Sequence, residues 1–110
     1  MTKLSSSMTE HNFSHDRPLA VIEIDVNNHP GVMSHIVGLF ARRGCNIEGI
    51  VCFSSAGGET SRILLLLADQ KLATMSKHLA NLEDVRSVRR CDEHRSAFLE
   101  LPELFDSATP

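Results

Sequence analysis

The sequence predicts an α+β domain in which two helices cover one face of a four-stranded antiparallel sheet. Two observations support this fold class. Some segments are short apolar runs, alternating or continuous and bounded by turn residues, and two others have apolar residues spaced by three or four positions. These strand-like and helix-like segments follow one another in the order β-α-β-β-α-β, which is the split βαβ or ferredoxin-like arrangement. The order of the segments therefore decides the fold class.

A polar loop separates the first predicted strand from the first predicted helix. Residues 19–26 (LAVIEIDV) alternate between apolar side chains and a second set that includes two acids, which predicts a half-buried strand. The loop is residues 27–31 (NNHPG), in which Pro30 favours a helix start. Gly44 follows two arginines and is placed for a left-handed C-cap. The helix between them has an apolar stripe of Val32, Ile36, Leu39 and Phe40, widened by Met33, Val37 and Ala41.

A hairpin is predicted after this helix. Residues 46–53 (NIEGIVCF) are β-branched and aromatic enough for a second strand. The next segment, SSAGGET, supplies the turn residues of a hairpin. The third strand, residues 62–68 (RILLLLA), is apolar on both faces at its centre. Such a strand is expected at the middle of a sheet or beneath a partner.

A second helix and a fourth strand complete the order. The helix is predicted to begin after Asp69, which is a plausible N-cap. Residues 85–90 (VRSVRR) form a weak fourth strand, and the chain from Cys91 onward is predicted to be polar and irregular, with a short leucine-containing tail. The stripe of the second helix consists of Leu72, Met75, Leu79 and Leu82.

The composition indicates a small cytoplasmic domain. The chain has 110 residues, is 42% hydrophobic and 23% charged, and carries a net charge of −3, which disfavours nucleic acid as a partner. Residues 1–17 lack the apolar core of a signal peptide and are predicted to form a disordered arm. The longest apolar run, residues 63–68, is far shorter than the roughly 20 residues that span a membrane. We therefore expect one domain over residues 18–91, a tail over residues 92–110, and no membrane contact.

No catalytic or metal site is predicted. The three cysteines are odd in number and lack C-x-x-C spacing, which argues against a disulfide framework and against a zinc site. Among the six histidines, one spaced pair lies in the arm, and the other, His29 and His35, lacks acidic or thiol companions in sequence. We find no nucleophile–base pair or carboxylate pair at usable spacing, so the chain alone is expected to catalyse nothing.

Two other functions carried by this fold are disfavoured. An acylphosphatase needs a basic phosphate-binding loop, whereas NNHPG contains no arginine. A single-strand RNA binder needs exposed aromatic residues on its central strands. The chain has no tryptophan or tyrosine, and Phe53 is the only aromatic residue in a predicted strand.

The loop before the first helix has the chemistry of a site for a small zwitterion. The first N–H groups of a helix have no intrahelical acceptor, and the helix dipole favours an anion such as a carboxylate there. Asn28 offers donors and an acceptor, Gly31 allows close approach to the backbone, and Pro30 fixes the loop. Val32 and Met33 could accommodate a small branched side chain. The same residue types also make an ordinary strand-to-helix turn, and the pattern alone leaves that alternative open.

Residues 28–50, NHPGVMSHIVGLFARRGCNIEGI, carry a resemblance to a known family. They resemble the ACT-domain segment of the small regulatory subunits of acetolactate synthase (acetohydroxyacid synthase), in its short form with one ACT domain. The NxPGVM start, GLFARRG and NIEGI fall in the order and spacing of that family. The element order extends the likeness over about residues 18–91.

The resemblance implies a regulatory function for a homodimer. In that family the domain binds a branched-chain amino acid, chiefly valine, across a dimer interface. It relays feedback inhibition to a large catalytic subunit that uses thiamine diphosphate, magnesium and FAD, and it is expected to carry no cofactor itself. The matching residues on the loop side of the valine site are Asn28, Gly31, Val32 and Met33, and those from the neighbouring subunit are Asn46 and Ile47.

Two alternatives stay open. The chain could be an amino-acid-sensing ACT module that serves a different metabolic enzyme, because the binding chemistry would be the same. Its basic residues could contact the catalytic subunit or form an ordinary solvated surface. These basic residues are Arg42, Arg43, Arg86, Arg89 and Arg90.

Overall fold

The computed structural model describes residues 18–107. The predicted arm, residues 1–17, and the last three residues lie outside the described residues. The main elements are β1 (Leu19–Asn27), α1 (Val32–Arg42), β2 (Gly49–Ser54), β3 (Thr60–Ala68), α2 (Leu72–Ala80), β4 (Val85–Arg90) and α3 (Arg95–Ser107), with short 3-10 turns at Asp69–Lys71 and Asp92–His94.

The four strands form one antiparallel sheet in the order β2-β3-β1-β4. The central strands β1 and β3 pair along their whole length, from Leu19 opposite Ala68 to Asn27 opposite Thr60. The outer strands β2 and β4 are shorter and form the two edges. This arrangement confirms the predicted fold class.

The first face of the sheet is covered by α1 and α2. Because side chains alternate along a strand, every second residue of β1 and β3 points to these helices. The helices bury their apolar stripes against them, and the result is one continuous core. Its fully buried members include Ile22, Ile24, Val26, Ile36, Phe40, Ile63, Leu65, Met75 and Leu79.

The second face is covered at one end by a helix that the sequence pattern did not predict. Residues 95–107, expected to be an irregular tail, form α3. Phe98 of this helix is buried with Val21 and Leu66 of the sheet. Its ring lies so close to Gly49 that a Cβ there would be 2.9 Å from the Phe98 Cδ1 atom. The prediction of two helices on one face is thus correct for α1 and α2 but omits α3.

The end of α1 is confirmed and has the geometry of a Schellman motif. Gly44 has φ +64°, and its N–H bonds to the carbonyl of Ala41, while the N–H of Cys45 bonds to that of Phe40. The predicted stripe of α1 was too wide, because Val37 is 44% exposed and Ala41 is also exposed.

Two predicted element starts were wrong. β2 begins at Gly49 and not at residue 46, so the residues before it belong to a connection. Asp69 does not cap α2 with its side chain; it forms an ion pair of 2.9 Å with Arg90. None of the described helices is both long and apolar enough to cross a membrane.

Candidate functional site

The N-terminus of α1 is open to an external anion. Gly31 is its N-cap, with φ +94°, a left-handed conformation that glycine adopts without strain. Within the described residues, no side chain caps this helix end and no acidic residue lies in its first turn. A Cβ built on Gly31 would have no atom within 4 Å, so the space beside the backbone is free for a small group. The helix dipole and the first N–H groups favour a carboxylate here.

Asn28 connects this loop to the β2–β3 hairpin. Its Nδ2 group donates hydrogen bonds to the Gly58 carbonyl at 3.0 Å and to Ser54 Oγ at 3.3 Å. Its backbone N–H donates to the carbonyl of Glu59 at 3.0 Å. The Asn28 donors are therefore used within the chain. A ligand can therefore contact this side chain at Oδ1, which would accept a hydrogen bond from it.

Val32 and Met33 contribute more to the core than to an open pocket. Val32 is 8% exposed and belongs to the main core cluster, and Met33 is half-buried against the same cluster. The cleft beside Val32 has a volume of only about 60 Å³ and is bordered by Asp84 and Val85. One chain therefore provides a wall for a small side chain and no enclosed cavity.

His29 fixes the loop from its other side. Its Nε2 atom lies 2.7 Å from an Asp84 carboxylate oxygen, and its Nδ1 atom lies 2.7 Å from the Pro30 carbonyl oxygen. Both ring nitrogens face acceptors, so the doubly protonated imidazolium fits best. The Pro30 carbonyl first, and Asp84 second, raise the pKa of His29 above its ordinary value. His29 thus has an acidic partner that was not apparent from sequence, in an ion pair between loop and turn.

Asn46 and Ile47 lie at the opposite end of α1. They follow the helix C-terminus and precede β2. The 11 residues of α1 span about 16 Å at 1.5 Å per residue, so one chain separates Asn46 from Gly31 by about that distance. Asn46 is exposed and Ile47 is half-buried. The structure therefore brings together the four loop-side residues of the predicted site, and it does not bring Asn46 and Ile47 to them within one chain.

A second cleft, of about 420 Å³, opens beside the hairpin and is lined by Phe53, Arg62 and Asp25 among others. Arg62 lies 3.6 Å from Asp25 and also contacts Glu23. The third charged residue of the cleft, Arg86, donates a hydrogen bond to Asn27 Oδ1 at 3.3 Å. Because the charged groups of this cleft already have partners within the chain, we do not assign a ligand to it.

The sequence pattern did not predict one cluster of potential metal ligands. Glu23, Cys91 and His94 each offer one potential metal-ligand atom, and these atoms all lie within 4.8 Å of one another. Burial first, and hydrogen bonds to Glu23 and Glu93 next, raise the pKa of the Cys91 thiol to about 11. The available sequence signal is the Cys-x-x-His spacing of residues 91–94, a mixed pair that neither C-x-x-C spacing nor spacing between histidines includes.

The matching family model and the similar sequences point to the same family. The family model described as the AHAS small subunit-like ACT domain, where AHAS is acetohydroxyacid synthase, matches residues 22–87. The acetolactate synthase isozyme 1 small subunit of Escherichia coli K12 is 41% identical over 95 residues, which cover 86% of this chain and 97% of that protein.

Two solved structures extend the comparison. The acetolactate synthase small subunit of Thermotoga maritima superposes with a TM-score of 0.60 and 31% identity, covering 66% of this chain and 46% of that one. The ACT domain from GTP pyrophosphokinase of Chlorobium tepidum, solved by NMR, gives a TM-score of 0.56 and 25% identity, covering 66% of this chain and 84% of that one.

Proposed function

This chain belongs to the family of acetolactate synthase small subunit-like ACT domains, and from that membership we propose that it is a regulatory subunit of acetolactate synthase. It binds valine, or a related branched-chain amino acid, between two copies of itself. It activates a large catalytic subunit and confers feedback inhibition on branched-chain amino acid biosynthesis. The chain itself is non-catalytic, and thiamine diphosphate, magnesium and FAD belong to the catalytic partner.

The single structural observation that carries the ligand-binding part of this proposal is the uncapped N-terminus of α1. Gly31 leaves space at this helix end, and no acidic side chain in the first turn neutralises the partial positive charge of the helix dipole. The valine carboxylate would accept hydrogen bonds from the first backbone N–H groups, and its ammonium group would donate to Asn28 Oδ1. The exposed part of Met33 and the wall at Val32 would contact the branched side chain.

The position of β2 supports a site shared between two copies. β2 is an edge strand, and its residues Ile50 and Phe53 are 39% and 49% exposed. Two such edges can pair antiparallel about a twofold axis, which satisfies their backbone groups and gives a self-complementary interface. That pairing would place the Gly49 end of one β2 beside the Ser54 end of the other.

The same pairing accounts for the separation of the two halves of the site. Asn28 is hydrogen-bonded to Ser54, so the N-terminus of α1 lies at the Ser54 end of β2. Asn46 precedes Gly49 by three residues, so it lies at the other end of β2. In an antiparallel pair, Asn46 and Ile47 of one copy therefore approach the Asn28 loop of the other.

Regulation requires that valine binds two states of the assembly with different affinity. Coupling between effector and active sites is usually about 1–3 kcal/mol, which corresponds to roughly a 5- to 150-fold change in affinity. A ligand held between two copies stabilises one relative arrangement of those copies. The catalytic partner would sense that arrangement through whichever surface it contacts.

The direct experiment adds the purified chain to a large catalytic subunit and follows acetolactate formation. We expect the rate to rise with added chain and the rise to be reversed by valine. The Asn28→Ala variant should still fold but should need a much higher valine concentration. The matched control is Asn81→Ala, an exposed asparagine at the end of α2. Undiminished valine sensitivity in Asn28→Ala would show that the loop assignment is wrong.

A complementation experiment tests whether the site is shared. Homodimers of Asn28→Ala and of Asn46→Ala should each have two defective sites. A mixed dimer of the two variants combines an intact loop from one chain with an intact Asn46 from the other, so it should regain one of its two sites. Calorimetric titration with valine should detect this regain. If each site were built from a single chain, the mixed dimer would bind no better than either parent.

Titration of the purified wild-type chain with valine, leucine and isoleucine identifies the preferred ligand. The rival function is amino-acid sensing for another enzyme, as suggested by the likeness to an ACT domain from a GTP pyrophosphokinase. That function would appear as valine binding without any activation of acetolactate synthase.

A further inference from the structure

Two buried side chains and a partly exposed histidine form a cluster on the second face of the sheet, away from the α1 loop. Potential ligand atoms of Glu23, Cys91 and His94 all lie within 4.8 Å of one another. Glu23 is 5% exposed and Cys91 is 1% exposed. The His94 ring is partly exposed, with 41% of its side chain accessible. The cluster is therefore closed on the protein side and reachable from solvent on the histidine side.

Fixed backbone holds the three residues in place. Glu23 lies at the centre of β1, where Arg89 is its register partner on β4. Cys91 follows β4 directly, and its N–H bonds to the Val21 carbonyl at 2.9 Å, which extends the strand pairing by one residue. The His94 N–H bonds to the Cys91 carbonyl at 3.2 Å, and this turn brings the thiol and imidazole to the same side.

We propose that Glu23, Cys91 and His94 form a binding site for a zinc-like divalent metal ion. Thiolate, imidazole and carboxylate are the three ligand types that zinc takes in proteins. The distance from Glu23 Oε1 to His94 Nε2 is 3.7 Å, within the roughly 3.3–3.8 Å edge expected for a tetrahedron with bonds of about 2.0–2.3 Å. The thiolate favours zinc over magnesium or calcium.

The fourth coordination position is left for a small oxygen ligand. Glu93 follows Cys91 by two residues in the same turn, Asp92–His94, and is therefore one candidate. Either Glu93 or a water molecule completes a four-coordinate site. On metal binding the Cys91 thiol releases its proton to solvent, and the metal replaces that proton as the partner of the sulfur.

Arg89 is the internal competitor for the metal. Its Nη2 atom lies 3.1 Å from Glu23 Oε1, the oxygen that faces His94. A metal on this oxygen displaces Arg89, whose side chain is 59% exposed and can turn into solvent. Arg62 lies 3.4 Å from the other oxygen, Oε2, and can stay there. Metal binding thus replaces the ion pair of Glu23 with Arg89 by a metal–oxygen bond and keeps the ion pair with Arg62.

Cobalt titration of the full chain, purified without a histidine tag, tests the site. Four-coordinate cobalt with a thiolate ligand gives visible bands and a sulfur-to-metal charge-transfer band, and zinc should abolish both by displacement. Cys91→Ser should remove the charge-transfer band, whereas Cys52→Ser, which changes an exposed thiol on β2, should keep it. His94→Gln should weaken cobalt binding at least about 10-fold. Arg89→Gln should tighten it.

Further variants keep the test decisive. The double variant His11→Gln/His15→Gln should bind cobalt like wild type, because the proposed site does not include those histidines. Zinc should raise the melting temperature of wild type by more than that of His94→Gln, which covers the case in which Cys91→Ser fails to fold. The proposal is overturned if no charge-transfer band forms, if Cys91→Ser folds and retains it, or if zinc stabilises His94→Gln as much as wild type.

Discussion

The two faces of the sheet are built on different principles, and β1 shows the contrast within one strand. On the helix-covered face, Ile22, Ile24 and Val26 are all fully buried. On the other face the strand changes from Val21, which is buried under α3, to Glu23, which is buried among arginines. Burial on the first face follows the alternation of residues along β1 itself. Burial on the second face depends on α3 and on arginines of other strands, which lie far away in sequence. A regular pattern therefore predicts the core and leaves the second face undetermined.

The largest effect should come from the helix-covered face. Replacing Phe40, which is 1% exposed, by alanine removes a ring from the centre of the main core. We expect the free energy of unfolding to fall by about 3–5 kcal/mol, measured by chemical denaturation at fixed protein concentration. The control is Val37→Ala on the same helix, where the side chain is 44% exposed and the change should stay within about 0.5 kcal/mol. Similar losses for both variants would contradict the assignment of this face.

A smaller effect is expected from the apolar end of the second face. In Gly49→Ala the new methyl group would lie 2.9 Å from the Phe98 ring, so either the ring or β2 must shift. Overpacking of this kind costs about 1–3 kcal/mol. The matched control is Gly57→Ala in the hairpin, where a Cβ would meet nothing within 4 Å.

A double-mutant cycle shows whether α3 causes that cost. Once Phe98→Ala has removed the ring, Gly49→Ala should add little further destabilisation. An undiminished cost in the Phe98→Ala background would mean that α3 does not pack on this end of the sheet.

A still smaller loss in the free energy of unfolding is expected from the charged end of the second face. Glu23→Gln removes the charge that faces Arg62 and Arg89, and both arginines are more than half exposed and can be rehydrated. We expect a loss of about 1 kcal/mol, because exposed partners limit the value of an ion pair even when the acid is buried. Asp25→Asn, the next residue on this face, should change stability by no more than about 0.5 kcal/mol. Equal effects would show that burial of Glu23 adds nothing.

The sequence predicts the features that depend on neighbouring residues and misses those that depend on distant segments. The apolar spacing of α1 and the left-handed Gly44 were readable because both depend on neighbours within a few residues. α3 was missed because Pro102 lies inside it and because its apolar residues match a surface that only the folded sheet provides. β2 was predicted to begin at residue 46 because the β-branched Ile47 suits a strand, whereas residue-by-residue pairing with β3 begins only at Gly49, opposite Leu66.

The candidate sites divide in the same way. The α1 loop was predicted because its residues, Asn28 to Met33, are contiguous. The group of Glu23, Cys91 and His94 was not predicted, because β1 must first pair with β4 before the acid meets the thiol. For the arginines, three of the five turn out to have partners within the chain. These are Arg86 with Asn27, Arg89 with Glu23, and Arg90 with Asp69 and Asp92.

The subtlest expected effect lies at the α1 loop and depends on pH. The pKa of His29 is raised in the folded chain, so its interaction with Asp84 is complete below the ordinary histidine pKa of 6.5 and is lost as pH rises through the raised value. NMR titration of the ring should give a higher pKa in wild type than in Asp84→Asn, and the Gly31 amide shift should follow the same transition. The Pro30 carbonyl should maintain part of the shift in the variant, because it is the larger cause. A pKa that is identical in both proteins would remove the Asp84 carboxylate as a partner of His29, and the loop would then be held by the Asn28 contacts and by the hydrogen bond from the Asn27 N–H to the Asp84 carbonyl.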